Sequence, residues 1–133
     1  MTSETSGPYV HHVRVRYGEV DMQRVVFNSH YLAYCDDAVE CWLQARGVQV
    51  NVVGWDFMLK KATIEWQGSA TVHDTIDIAV EVARWGTTSF DVRFTGTVDA
   101  KPVFTTVITY VGVRLGTTET APPPDEVKRL LSA

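Results

Sequence analysis

The chain has 133 residues and a formal net charge of −4, with 45% apolar and 21% charged residues. This length and composition indicate one globular domain rather than a disordered or fibrous protein. No Lys/Arg cluster accompanies the acidic balance, which argues against a nucleic-acid partner. The polar start MTSETSGP lacks an apolar signal segment, and no run of about 18 apolar residues occurs, so we predict a cytoplasmic protein without a membrane span.

Residues 1–9 are predicted to be a flexible leader, and a strand is predicted to follow them. Over residues 11–17 the apolar side chains Val13, Val15 and Tyr17 alternate with polar or charged ones. This period of two is typical of a half-buried strand.

A long helix is predicted next. The loop after the first strand leads into Asn28 and Ser29, residue types that often begin helices. From Tyr31 to Arg46 apolar residues recur at helical spacing, and Gly47 is expected to end the helix.

The rest of the chain predicts four more strands and a tail. The strands are expected at residues 57–66, 76–82, 90–98 and 103–113, with turns between them. The last strand is apolar on both faces, as in the middle of a sheet. The proline-rich tail, residues 117–133, ends in a short helical pattern that could dock or stay loose.

The order of elements predicts a single α+β domain over residues 1–133, with a five-stranded antiparallel sheet wrapped around one long helix. A chain of this size cannot cover both faces of such a sheet, which favours a homo-oligomer.

The cysteines and histidines do not suggest a metal site. Cys35 and Cys41 lie on different faces of the predicted helix, so we expect two reduced thiols. His11, His12 and His73 show no ligand spacing. We therefore predict that the protein binds no metal.

The segment between the first strand and the helix resembles a known family. The run D-x-x-x-V-V-x-N-x-x-Y-L, from Asp21 to Leu32, is similar to the hotdog thioesterases related to 4-hydroxybenzoyl-CoA thioesterase. The resemblance extends to residues 62–66, 73–77 and 84–90. It implies a hotdog fold, hydrolysis of acyl-CoA to free acid and CoA, and a homodimer or homotetramer. No separate cofactor is implied, because coenzyme A is part of the substrate.

The resemblance also implies a catalytic centre. Asp21 would be the catalytic carboxylate, acting as a nucleophile or as a general base. The Asn28 N–H would stabilise the oxyanion, and Phe27 and Ser29 would flank the acyl group. The purely structural alternative for Asp21 is a loop carboxylate that caps a turn.

Two positions depart from the family pattern. Arg24 stands where a glycine is common, and it could alter the loop or reach a substrate phosphate. His30 stands where an asparagine is common. It could carry a proton to the thiolate leaving group, or it could be only a polar residue in the first helical turn.

Further residues are candidates for substrate binding. Tyr31 could line an aromatic acyl pocket or belong to the core. The phosphates of coenzyme A require basic groups, for which the candidates include Lys60 and Arg84. By resemblance, the turn that carries Thr88 and Ser89 would lie near the bound pantetheine and phosphates.

Two other functions remain open at this point. A polyketide-type thioesterase would act on a chain bound to an acyl carrier protein with the same carboxylate chemistry. A non-catalytic acyl-CoA binding module would keep the fold but would not need Asp21.

Overall fold

One long helix lies across an antiparallel sheet in the computed structural model, which describes residues 8–132. The elements in chain order are β1 (Tyr9–Arg14), a 3₁₀ turn (Tyr17–Glu19), α1 (His30–Arg46), α2 (Val50–Val53), β2 (Trp55–Trp66), β3 (Thr75–Trp85), β4 (Ser89–Val98), β5 (Lys101–Arg114) and α3 (Asp125–Leu131). The five strands pair antiparallel in the order β1-β3-β4-β5-β2. The predicted α+β architecture is confirmed.

Helix α1 follows the predicted apolar stripe. Its buried residues are Tyr31, Tyr34, Cys35, Ala38, Val39, Trp42, Leu43 and Arg46. The helix ends at Gly47, whose φ of 78° is the left-handed conformation that favours glycine. At the other end Ser29 occupies the N-cap position, but its side chain makes no capping hydrogen bond.

The core lies between α1 and the inner face of the sheet. The fully buried strand residues that face the helix include Ile76, Ile78, Val80, Phe90, Val92, Phe94, Phe104 and Ile108. Strand β5 is apolar on both faces, as predicted, since Val107 and Val111 are half-buried on its outer side. It is also an interior strand of the sheet.

The first strand differs from its predicted extent. It begins at Tyr9 and ends at Arg14, so most of the predicted leader, residues 1–7, lies outside the described residues. Tyr17 was expected to face the core, but the 3₁₀ turn carries it outward and it is 83% exposed. Val15 still makes main-chain hydrogen bonds to the segment before β3, and the Glu19 carboxylate then accepts a hydrogen bond from the Arg16 N–H, which closes this turn.

The C-terminal tail docks on the domain. Val127 and Leu131 of α3 are buried in the core. The Trp85 indole N–H donates to the Ser132 hydroxyl at 2.9 Å, and the Lys128 ammonium lies 5.8 Å from the centre of the same indole. The tail therefore closes the end of the core near the β3–β4 turn.

Strand β2 is a long edge of the sheet that the helix does not cover. It spans 12 residues, and most of them are exposed. Leu59 and Trp66 pair with the helix-facing residues Tyr110 and Phe104, yet they are 50% and 46% exposed. An apolar strip along β2 is thus open to a ligand or another chain. Among the described residues, no helix is both long and apolar enough to cross a bilayer.

Candidate active site

The loop before α1 folds back on itself and brings Asp21 beside the residues that precede the helix. Val20 and Val26 form a β-bridge. On either side of it the Asp21 N–H donates to the Val25 carbonyl at 3.0 Å, and the Phe27 N–H donates to the Glu19 carbonyl at 3.0 Å. These bonds fix the backbone of Asp21 relative to the start of α1.

One oxygen of the Asp21 carboxylate is hydrogen-bonded within its own loop, and the other has no partner among the residues that the structure describes. Oδ1 accepts a hydrogen bond from the Gln23 N–H at 2.8 Å. This is the contact expected of a loop carboxylate that caps a turn. Within the described part of the chain, Oδ2 has no hydrogen-bond partner. The side chain is half-buried. It therefore caps its own turn and still presents an oxygen for chemistry.

Asp21 lies on the wall of a groove of about 810 Å³. The groove also touches Thr71 and Val72, from the segment before β3. Its rim includes Tyr17 and Met22, two large apolar side chains that are almost entirely exposed. Such a rim is suited to contact an acyl group or a second chain.

Arg24 has a backbone conformation that favours glycine. Its φ is 65°, in the left-handed region that side chains other than glycine rarely adopt. The Arg24 N–H donates to the Asp21 carbonyl at 2.9 Å, and the Thr71 hydroxyl donates to the Arg24 carbonyl at 2.6 Å. These bonds hold the loop at Arg24, and this residue lines the groove that holds Asp21.

The start of α1 offers an amide donor. The N–H of His30 donates to the Phe27 carbonyl at 3.0 Å, but no main-chain carbonyl of the described residues accepts from the Asn28 N–H. Asn28 is exposed. A free amide at a helix start is suited to stabilise a negative oxygen.

The other residues expected at this centre separate into two groups. Phe27 and Ser29 are exposed, and the half-buried His30 ring contacts the Phe27 ring edge-on at a centroid distance of 6.4 Å. Tyr31 is only 2% exposed, and its ring packs on that of Phe104 at 5.0 Å. Tyr31 therefore belongs to the core beneath the site, whereas the other three are accessible from solvent.

Glu19 is a buried acidic residue that the sequence patterns did not reveal. It is 9% exposed, and it accepts hydrogen bonds from the Arg16 guanidinium and the Tyr34 hydroxyl, both at 2.9 Å. Burial raises the pKa of Glu19, but the hydrogen bonds from Arg16 and Tyr34 outweigh it and hold the pKa below its ordinary value. Only the spacing of Arg16 and Glu19 across a short turn could have indicated this cluster.

The residues expected to bind coenzyme A lie elsewhere on the sheet. Arg84, Thr88 and Ser89 come together at the β3–β4 turn, where Arg84 Nε donates to the Asp91 carboxylate at 3.0 Å. Lys60 is exposed at a bulge of β2. Asp21 lies near the start of β3 and Arg84 near its end, so the length of the 11-residue strand separates them by roughly 30 Å. Within one protomer they do not form one site.

Neither thiol resembles an activated nucleophile. Burial raises the pKa of Cys35 to about 12, so this fully buried side chain stays a neutral thiol at neutral pH. Burial, with the nearby carboxylates Asp37 and Glu40, also raises the pKa of Cys41.

A family model described as the thioesterase-like superfamily matches residues 15–131 of this chain. A search of curated protein sequences found no significant relative.

Solved structures of known thioesterases share the fold. One is a 1,4-dihydroxy-2-naphthoyl-CoA thioesterase from Synechocystis, with 19% identity, a TM-score of 0.82 and coverage of 94% of this chain and 96% of the other. A gentisyl-coenzyme A thioesterase has 19% identity, a TM-score of 0.83 and coverage of 93% and 100%. The dynemicin thioesterase has 19% identity, a TM-score of 0.83 and coverage of 94% and 95%. The hotdog fold is confirmed, and the chain belongs to the thioesterase-like superfamily.

Proposed function

We propose that the protein hydrolyses acyl-CoA to the free acid and CoA. The observation that carries the proposal is the position of Asp21, a half-buried carboxylate with a free oxygen on the wall of a groove. It lies in the loop that ends at Asn28, whose N–H has no main-chain acceptor among the described residues. Structural neighbours that act on CoA esters of aromatic acids favour the same substrate class.

Two routes fit a carboxylate in this position. In the first, Asp21 attacks the thioester carbon, forms a mixed anhydride and expels the CoA thiolate, and water then cleaves the anhydride. In the second, Asp21 takes a proton from a water molecule that attacks the carbon directly. In both, the Asn28 N–H donates to the carbonyl oxygen as negative charge builds there. His30 would supply a proton to the departing thiolate, while Phe27 and Ser29 contact the acyl group.

The active form in this proposal is a homodimer, or a homotetramer built from such dimers. Strand β2 offers a long exposed edge, whose unpaired main-chain groups can pair with another strand. The half-exposed Leu59 and Trp66 would be covered by the same contact. Hydrophobic side chains on an open edge favour association with a second copy over solvent.

A two-fold pairing along β2 would also complete the site. Trp66, at one end of β2, packs against Tyr31 near the start of α1. Trp55, at the other end, pairs with Arg114 near the Thr88 turn, where the Gly112 N–H donates to the Thr88 carbonyl at 2.7 Å. Antiparallel pairing of two β2 strands places the Trp66 end of one strand beside the Trp55 end of the other. The partner's β3–β4 turn would then approach Asp21, so that Arg84, Thr88 and Ser89 bind the CoA of the neighbouring site, with Lys60 near the two-fold axis.

No cofactor beyond the substrate is needed in this scheme, because CoA enters with the acyl group and both routes use only side chains and water. Hydrolysis of an acyl group on a carrier protein uses the same atoms. Carrier-bound acyl chains are therefore a second substrate class to assay.

The test is thiol release from a panel of acyl-CoA esters by the parent protein and by Asp21→Asn. We expect the substitution to lower kcat at least about 100-fold while ligand binding persists, the scale for losing a nucleophile or general base. Asp125→Asn, an exposed aspartate on α3, is the matched control and should retain activity. Equal turnover by the parent and Asp21→Asn would reject the assignment. Binding without turnover by the parent would identify a non-catalytic module, and turnover only of carrier-bound chains would select that substrate class.

A further inference from the structure

A cluster of three possible metal ligands lies outside the Asp21 groove. His11 of β1 and Asp37 and Cys41 of α1 bring an imidazole nitrogen, a carboxylate oxygen and a sulfur within 4.8 Å of one another. His11 Nε2 and Asp37 Oδ2 are 2.9 Å apart. Asp37 and Cys41 are four residues apart on one helix, so their side chains emerge on the same face.

The expectation of no metal relied on histidine spacing along the chain, and this cluster calls it into question. Only Asp37 and Cys41 are close in sequence, and neither is a histidine. The third donor arrives because β1 packs against α1 in the folded domain. Two ligands one helical turn apart, joined by a third from another element, are a common plan of zinc sites.

The donor set selects the class of ion. Nitrogen and sulfur donors disfavour Ca²⁺ and Mg²⁺, which prefer oxygen ligands, and favour Zn²⁺ and similar transition metals. Donors at about 2.0 to 2.3 Å from a tetrahedral Zn²⁺ lie within about 4 Å of one another, so binding requires only a small contraction of the cluster. The Asp37 side chain is 66% exposed and free to make that movement, whereas His11 is 11% exposed and held in place.

We propose that His11, Asp37 and Cys41 bind a Zn²⁺-type transition-metal ion, with water as the fourth ligand. The imidazole binds through Nε2 in its neutral form. Cys41 binds as a thiolate, and its proton passes to solvent when the metal enters. The bound ion ties the edge strand β1 to the middle of α1, at a site separate from the acyl groove.

The experiment uses the full-length chain without an affinity tag, kept reduced, treated with a chelator and then titrated with Zn²⁺ or Co²⁺. We expect one ion per chain at micromolar or tighter affinity, and a thiolate-to-cobalt charge-transfer absorption in the near ultraviolet. Saturating Zn²⁺ should raise Tm by about 4 °C or more, because the ion binds the folded state preferentially.

Substitutions identify the ligands. Cys41→Ser should remove the charge-transfer absorption and weaken Zn²⁺ binding at least about tenfold, and His11→Gln should weaken it similarly. His12→Gln is the matched control, because the neighbouring His12 also pairs with an aspartate, at 2.6 Å from Asp77, but belongs to no three-donor cluster of the described residues. It should bind Zn²⁺ as the parent does.

Two results would overturn the proposal. The first is a parent protein that binds no Zn²⁺ at micromolar concentration, or whose Co²⁺ complex lacks the thiolate absorption. Both measurements use the parent protein, so they do not depend on whether a variant folds. The second is a folded Cys41→Ser protein, checked by circular dichroism, that binds Zn²⁺ with parental affinity. In either case His11 and Asp37 form only a hydrogen-bonded pair.

Discussion

The Tyr34 hydroxyl, in the second turn of α1, donates a buried hydrogen bond of 2.9 Å to the carboxylate of Glu19. Glu19 lies two residues before Asp21, and its main-chain carbonyl accepts from the Phe27 N–H. The bond therefore joins the helix, the proposed catalytic loop and the residue before Asn28. Glu19 and Tyr34 act as positioning residues for that loop.

Glu19→Gln should lower the free energy of unfolding at pH 7 by about 1 to 3 kcal/mol, the usual range for hydrogen bonds to a charged group. The pKa of Glu19 is depressed in the folded protein, so its stabilising contribution is present above the pKa of the unfolded chain and is lost as the pH falls through the folded pKa. The parent and the variant should thus differ fully above the ordinary glutamate pKa of about 4.3 and converge only as the pH falls well below that value. Urea unfolding between pH 3 and 8 measures this.

Glu81→Gln is the control for Glu19, because Glu81 also pairs with an arginine, Arg93, at 3.0 Å, but at the surface. It should change the unfolding free energy by no more than about 0.5 kcal/mol. A Glu19→Gln protein as stable as the parent at pH 7 would contradict the anchoring role.

Arg24→Gly should stabilise the fold by about 0.5 to 1 kcal/mol, because glycine adopts a φ of 65° without the steric cost that a side chain carries. Arg24→Ala keeps that cost and removes only the guanidinium. If the side chain reaches a substrate phosphate, both variants should raise KM equally. Unfolding curves measure the effect on stability. The KM for an acyl-CoA, compared with that for a pantetheine thioester that lacks the nucleotide, measures the contact with the phosphate. An Arg24→Gly protein less stable than the parent would refute the strain argument.

Leu59→Glu should weaken self-association at least about tenfold, because two symmetry-related edge strands would each bring a carboxylate into the contact. Val52→Glu is the control, since Val52 is 76% exposed on α2 and does not belong to β2. Sedimentation velocity at micromolar concentration measures the change. A parent protein that sediments as a monomer would overturn the dimer proposal.

A mixture of Asp21→Asn and Arg84→Ala chains should be more active than either variant alone at substrate concentrations below KM. If each site takes Asp21 from one protomer and Arg84 from the other, about half of the dimers after exchange contain one intact site. If both residues served one protomer, mixing would restore nothing. Thiol release after subunit exchange, compared with unmixed samples, gives the answer.

Much of the fold could be predicted from the sequence, because periodicity reports which face of an element is buried. The stripe from Tyr31 to Arg46 and its end at Gly47 match α1, and the four later strands lie where the alternation placed them. The first strand was predicted less well. After Val15 the chain enters a turn that the hydrogen bond from the Arg16 N–H to the Glu19 carboxylate closes, and periodicity carries no information about such a contact.

The sequence by itself determined the α+β order, the family resemblance and the loop that carries Asp21, since these depend on local spacing along the chain. Only the tertiary structure decided that Tyr31 packs in the core against Phe104, that Arg84 lies a strand's length from Asp21, and that His11 meets Asp37 and Cys41. Such contacts arise when strands and helix pack together. Burial of the apolar core makes neighbours of residues that are far apart in the chain. No local pattern along the chain encodes which polar groups this packing brings together.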